Sequence, residues 1–259
     1  MSRPLIALAS LPLGLLGAQF VYGQDASPSS NAKTREAVSN LVNMHDAWGP
    51  KASTPNTHLV IKESARSGQL IKFRLYAEGI AKDGIYSIVT WPVTQKGPSQ
   101  SLAGVTLDAS GLAICAGTPG TCGGDKPNDP IDLTVQPIPG EPLRLGLVSQ
   151  DGATKVFAKV VPIPLSSEDR GCAVEGVLLT PAAEVVLIEG SGFPANGELE
   201  MESDSEGERH GDKKKADADG RYVSAMLPYK QGSPRGTLKV ILKSAACSPS
   251  IKVPWGRSK

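Results

Sequence analysis

The sequence predicts an all-β protein, two tandem β-sandwiches with a short N-terminal helix, and three observations carry that prediction. First, the chain repeats itself. Gly79-Ile80-Ala81-Lys82-Asp83-Gly84-Ile85-Tyr86-Ser87-Ile88 returns as Gly192-Phe193-Pro194-Ala195-Asn196-Gly197-Glu198-Leu199-Glu200-Met201. Asp108-Ala109-Ser110-Gly111 then answers Asp217-Ala218-Asp219-Gly220, and Leu143-Arg144-Leu145 answers Leu238-Lys239-Val240, in the same order. Second, from residue 57 onward short apolar alternations are punctuated by Gly, Pro and Asp, the pattern of antiparallel strands joined by tight turns. Third, a repeat of about a hundred residues built from hairpin signals is the size of a single β domain, so two copies mean two domains in tandem.

At the N-terminus, Arg3 precedes an apolar run from Leu5 to Leu16, and no acidic residue comes before Asp25. This is the layout of a secretory signal peptide, read as residues 1–23 with cleavage after Gly23. The run is too short for a membrane span of about 20 residues, and no later segment is apolar for long enough either. Residues 24–33 are polar and small and cannot bury a core. Val38, Leu41, Val42 and His45 then fall on one helical face, Thr34 can cap the start, and Gly49-Pro50 ends it. Residues 24–56 therefore read as a flexible leader and a short helix, 57–162 as the first domain, 163–169 as a proline-stiffened linker, and 170–259 as the second domain.

Charge excludes one class of partner. The chain has 27 basic and 26 acidic side chains, and loss of Arg3 with the signal peptide makes them equal. Nucleic acid needs a basic excess, so it is not an expected partner. Four cysteines in an exported chain favour disulfides. Pairing Cys115 with Cys122 and Cys172 with Cys247 keeps each bridge inside one domain. His45, His58 and His210 lack zinc-finger spacing to these cysteines, so zinc is not expected.

The second copy carries Gly190-Ser191-Gly192-Phe193-Pro194-Ala195-Asn196-Gly197, Ala216-Asp217-Ala218-Asp219-Gly220-Arg221-Tyr222, Leu227-Pro228 and Gly236-Thr237-Leu238-Lys239-Val240. With these motifs it resembles the immunoglobulin-like repeats of bacterial extracellular proteins, over residues 170–255 and more weakly over 57–162. The resemblance implies sandwiches of about seven strands that serve as spacers, adhesive modules or accessory domains beside enzymes. It transfers no functional residues. The four cysteines, the helix and a longer first copy depart from the pattern.

Chemistry-bearing motifs are sparse. The sequence has no Gly-x-Ser-x-Gly elbow, no His-Glu-x-x-His and no phosphate-binding Gly-Lys-Ser/Thr loop. Asp217 and Asp219, with Glu202, Asp204 and Glu206 nearby, form a partial calcium set that lacks the twelve-residue loop ending in Glu, and a hairpin turn explains them equally well. No cofactor is expected. Two differences between the copies stand out. Aligning Tyr86 with Leu199 and Ile88 with Met201 as inward residues turns Ile85, Val89 and Trp91 outward, where the second copy has Glu198, Glu200 and Glu202. An apolar outer face predicts a cover or a partner. Either Val38, Leu41 and Val42 of the helix pack there, or the face is a protein or carbohydrate contact centred on Trp91. The second difference is an insertion of 14 residues between Ile114 and Leu143, relative to Val223 and Leu238. It holds Asp125 and Asp129 and reads as a decoration or a recognition loop.

The expected function is a non-catalytic interaction or adhesion module, secreted, periplasmic or extracellular, binding protein or polysaccharide at the cell surface. Two alternatives remain: an accessory carbohydrate-binding module using Trp91 or Trp48, and a hydrolase of unrecognised design.

Overall fold

The computed structural model describes residues 19–21, 28–117, 122 and 128–256. One α-helix, α1 (Pro28–Ala47), precedes the bulk of the strands: β1 (Gln19–Val21), β2 (His58–Ser67), β3 (Leu70–Glu78), β4 (Tyr86–Thr90), β5 (Ser99–Leu107), β6 (Ala113–Cys115), β7 (Leu133–Val135), β8 (Leu143–Ser149) and β9 (Lys155–Val160). There follow β10 (Leu165–Asp169), β11 (Cys172–Leu178), β12 (Val186–Ser191), β13 (Glu198–Ser205), β14 (Glu208–Lys215), β15 (Tyr222–Met226), β16 (Arg235–Lys243) and β17 (Ser250–Gly256).

Four sheets result, with orders β2-β3-β7, β6-β5-β4-β8-β9, β1-β15-β12-β11-β10 and β14-β13-β16-β17. They pair face to face because each strand alternates and must bury its apolar face. In the N-terminal pair, Leu75, Ile88, Val105, Leu145, Leu147 and Val156 fill one core. In the C-terminal pair, Val174, Ile188, Leu199, Met201, Val240, Leu242 and Val253 fill another. Tyr86 and Ile88 face inward, as do Leu199 and Met201 at the matching positions of β13.

The repeat is visible in the pairing. The order β5-β4-β8-β9 matches β14-β13-β16-β17, and β7-β3-β2 matches β15-β12-β11. The copies differ where the insertion falls. Cys115, at the end of β6, donates its N–H to the Asp129 carbonyl at 3.1 Å and accepts from the Asn128 N–H at 3.0 Å. The base of the insertion is thus closed by backbone hydrogen bonds. The single strand β15 of the second copy corresponds to two pieces in the first, β6 on one sheet and β7 on the other.

Three expectations about segments change. The helix begins at Pro28, inside the stretch read as a flexible leader, and not at Thr34. Residues 163–169 are not a free linker, because Leu165–Asp169 form β10 and pair antiparallel with β11. Leucine and serines on this strand complete a sheet edge that would otherwise leave the N–H and C=O groups of β11 unpaired. Gln19–Val21, which the sequence places in a removable segment, pair in parallel with β15.

Candidate functional site

The junction between the two sheet pairs gathers the residues that neither core uses. Its geometry starts at Gly146, where an added Cβ would stand 2.3 Å from Phe157 Cδ1 and 3.0 Å from Val89 Cγ2. The missing side chain lets Phe157 lie across β8 on the outer face of its sheet. Trp48, just after α1, packs on that ring in a tilted arrangement with centroids 4.5 Å apart. Its indole N–H is shared between the Leu145 carbonyl at 3.2 Å and the Ala158 carbonyl at 3.0 Å. These two residues are cross-strand partners in β8 and β9, so Trp48 pins the end of the helix to the N-terminal sheet pair.

Ile85, Val89 and Trp91 do lie on the outer face of their sheet and are half-buried. The helix end covers Trp91: Trp48 meets its ring edge-on with centroids 5.6 Å apart, and the Arg144 guanidinium carbon lies 5.5 Å from the ring centroid. Val38, Leu41 and Val42 go elsewhere. They pack on the outer face of the C-terminal sheet pair, against Val177, Leu179, Val185, Leu187 and Ala225. The helix is therefore a cover for both copies: its middle seals one sheet and its end seals the other. The sequence expectation placed Val38, Leu41 and Val42 over Ile85, Val89 and Trp91; they cover the other copy and Trp48 covers Trp91 instead, because both outer faces carry apolar residues and spacing alone does not choose between them.

Polar groups are buried in the same seam. His45 is 3% exposed and Arg144 is 6% exposed. Arg144 Nη2 lies 3.1 Å from His45 Nδ1, and Lys159 Nζ donates to the His45 carbonyl at 2.9 Å. Burial first, then the charges of Lys159 and Arg144, push the His45 imidazole down to about 3. Burial also lowers Arg144 to about 10 and lowers Lys159 from its ordinary range, with Asp46 and Glu189 opposing that shift. Glu189, on β12, is raised chiefly by burial, while Lys159 pulls it back. Glu175, its cross-strand neighbour on β11, is raised by burial too. A second tie crosses the seam at Gly140: its N–H donates to the Ile163 carbonyl and its carbonyl accepts from the Leu178 N–H, both at 2.8 Å.

The remaining candidates are scattered. Asp125 lies outside the described residues. Asp129 is exposed at the base of the insertion. Asp217 Oδ1 accepts from the Asp219 N–H at 2.9 Å and the Arg221 N–H at 2.8 Å, which makes it a turn residue. Among the described residues no three His, Cys, Asp or Glu side chains are placed to share a metal ion. Cys172 and Cys247 form the expected disulfide, with Cα atoms 6.1 Å apart. Cys115 and Cys122 do not: they carry separate thiols that share a hydrogen bond, and burial followed by that bond pushes Cys122 up to about 11. The Cys122 sulfur also faces the Gly104 carbonyl at 2.9 Å, a ready acceptor for its S–H.

A cavity of about 350 Å³ borders the seam, walled largely by Pro92, Pro137, Pro142, Pro162, Val135 and Leu143, with Glu141 and Arg144 also on its wall. His58 and His210 lie away from it and from one another, at the start of β2 and on β14. The seam's Arg144, Lys159 and Phe157 escape notice in the sequence. Arg144 matches Lys239 in the second copy, and Lys239 is an exposed cation. The one local signal is Trp48 directly before Gly49-Pro50, an aromatic at a helix stop.

No protein-family model matches the chain, and comparison with curated proteins returns no match. Among solved structures, the chain is similar to one described as the crystal structure of a tetra-tandem repeat in the extending region of a large adhesion protein, at 12% identity and a TM-score of 0.26. The match covers 79% of this chain and 50% of that one, so the chain spans about half the length of the structure it matches.

Proposed function

We propose that the chain is an exported, non-catalytic protein of two immunoglobulin-like domains, residues 57–162 and 170–259, that acts as an interaction or adhesion module at the cell surface. The observation that carries this reading is the strand order common to both sheet pairs. In the second copy β11, β12 and β15 share one sheet and β13, β14, β16 and β17 the other; in the first copy β2, β3 and β7 share one sheet and β4, β5, β8 and β9 the other, with β6 added beside β5. This order, with β5 paired to β4 and β14 to β13, is the one expected of a Greek-key sandwich and supports the immunoglobulin-like reading. Such a framework presents loops and faces on a rigid support, and partners bind there. The disulfide between Cys172 and Cys247 supports an oxidising compartment. A protein or polysaccharide is the expected partner.

Cell fractionation with non-reducing peptide mapping tests the reading. The expected product begins after Gly23, lies outside the cytoplasm and has Cys172 joined to Cys247. Recovery from the cytoplasm with residues 1–23 attached and both thiols reduced would overturn it. Purified protein, immobilised and exposed to cell-surface extracts, is expected to retain a protein or polysaccharide and to release no cleavage product.

A further inference from the structure

The His45–Arg144 contact permits only one protonation state. Arginine has no acceptor and keeps its proton, so His45 Nδ1 must accept, and the imidazole must be neutral. The contact sits in the last turn of α1, whose C-terminal carbonyls favour a cation, and Lys159 supplies it at the His45 carbonyl. A proton added to Nδ1 would replace an accepted hydrogen bond with two cations about 3 Å apart in a site closed to water. Neither Arg144 nor Lys159 can withdraw along its own strand, since both are rooted in the five-stranded sheet. The helix can.

We propose that α1 is an acid-released clasp: proton uptake by His45 breaks its contact with Arg144, undocks the end of the helix from β8 and β9, and frees the two sheet pairs to move relative to one another. The groups that face this step come from every element packed there. Arg144 on β8 and Lys159 on β9 oppose the incoming proton. Asp46 on α1 and Glu189 on β12 act as counter-charges to Lys159, Glu175 on β11 acts on Glu189, Lys51 opposes Lys159, and Glu141 acts on Arg144.

The sign follows from the depressed imidazole. Undocked His45 titrates near 6.5 and docked His45 at about 3. Its contribution to docking is complete above 6.5 and is lost as the pH falls from there toward 3. In that window the docked-to-undocked ratio drops by about tenfold per pH unit, or about 100-fold at pH 4.5.

Hydrogen exchange read by mass spectrometry, corrected for the intrinsic pH dependence of amide exchange, tests the clasp. Between pH 7.5 and 4.5, protection of peptides covering residues 36–47 is expected to fall by about 100-fold, while peptides from β12 and β16 hold theirs. His45→Gln can still accept from Arg144 and has no proton to gain, so its α1 protection should be flat across the range even if it is lower throughout. Glu189→Gln should keep the wild-type fall. A flat wild-type profile, or an equal fall in His45→Gln, would overturn the proposal and assign any acid response to the carboxylates. NMR titration of the His45 ring in the unmodified protein gives an independent reading, and titration near 6.5 with α1 still protected would also overturn it.

Discussion

Asp108 and Asp217 perform the same task in the two copies. Asp108 Oδ1 accepts from the N–H groups of Ser110 and Leu112 at 2.7 and 2.9 Å, as Asp217 Oδ1 does from Asp219 and Arg221. A carboxylate so engaged closes an Asx turn and has little capacity left for a metal. Asp217→Ala is therefore expected to lower the melting temperature by about 4–8 °C, with Asp217→Asn close to wild type, and millimolar calcium should shift neither the variant nor the parent. A calcium-dependent rise in melting temperature would restore the metal reading. The turn role was legible in the sequence because the first copy keeps Asp108 and replaces the second carboxylate by Ser110. Arg144 was not, since the same alternation makes Lys239 a solvated cation and only the helix overhead makes Arg144 a buried one.

Turns joining the strands show how strictly the duplicated elements are held. Gly79 and Gly192 both adopt positive φ, and a Cβ at either would stand 2.1 Å from a backbone carbonyl oxygen, that of Asn56 or Gly171. Gly207, at the tip of the β13–β14 hairpin, also has positive φ but has nothing within 4 Å of such a Cβ. Gly192→Ala and Gly79→Ala should each cost well over the roughly 1 kcal/mol of backbone strain alone, and Gly207→Ala about that amount. Denaturant titration of the three variants checks the order; equal losses would mean that strain and not the close backbone approach sets the cost. Most strands, including the hairpin partners, were readable from alternation and turn residues. β10 was not: Pro162 and Pro164 before it and the serines in it read as a spacer, and it becomes a strand because β11 offers an unpaired edge beside it. The break of one strand into β6 and β7 likewise follows from where the insertion's backbone hydrogen bonds fall, which composition does not show.

At the scale of the molecule, α1 and the Gly140 turn convert two sheet pairs into one body. The helix buries Val38 and Val42 against the C-terminal pair while Trp48 anchors it to the N-terminal pair. Deleting residues 28–47 should leave both cores folded and expose the face formed by Val177, Val185 and Leu187. The expected result is binding of a hydrophobic dye and concentration-dependent association, since apolar patches of this kind drive contact between molecules. Small-angle scattering should show a broader distribution of shapes. An unchanged dye signal and scattering profile would mean that the helix is ornamental.

The sequence by itself determined the all-β class, the duplication, the turns at Asp108 and Asp217, the inward and outward faces of β4, and the pairing of Cys172 with Cys247. Apart from the disulfide, whose cysteines stand 75 residues apart and were paired by domain, these are local or periodic properties, carried by residues within a strand or a turn of one another, or repeated where the same geometry recurs. Only the tertiary structure decided which sheet each helix face covers, that Arg144 and His45 meet, that Trp48 covers Trp91, and that Cys115 and Cys122 remain thiols. The ties of Trp48 to β8 and β9 and of His45 to Arg144 span 97 to 110 residues of chain, and the face each part of the helix covers turns on competition for burial among several apolar faces, a contest that no single segment can settle.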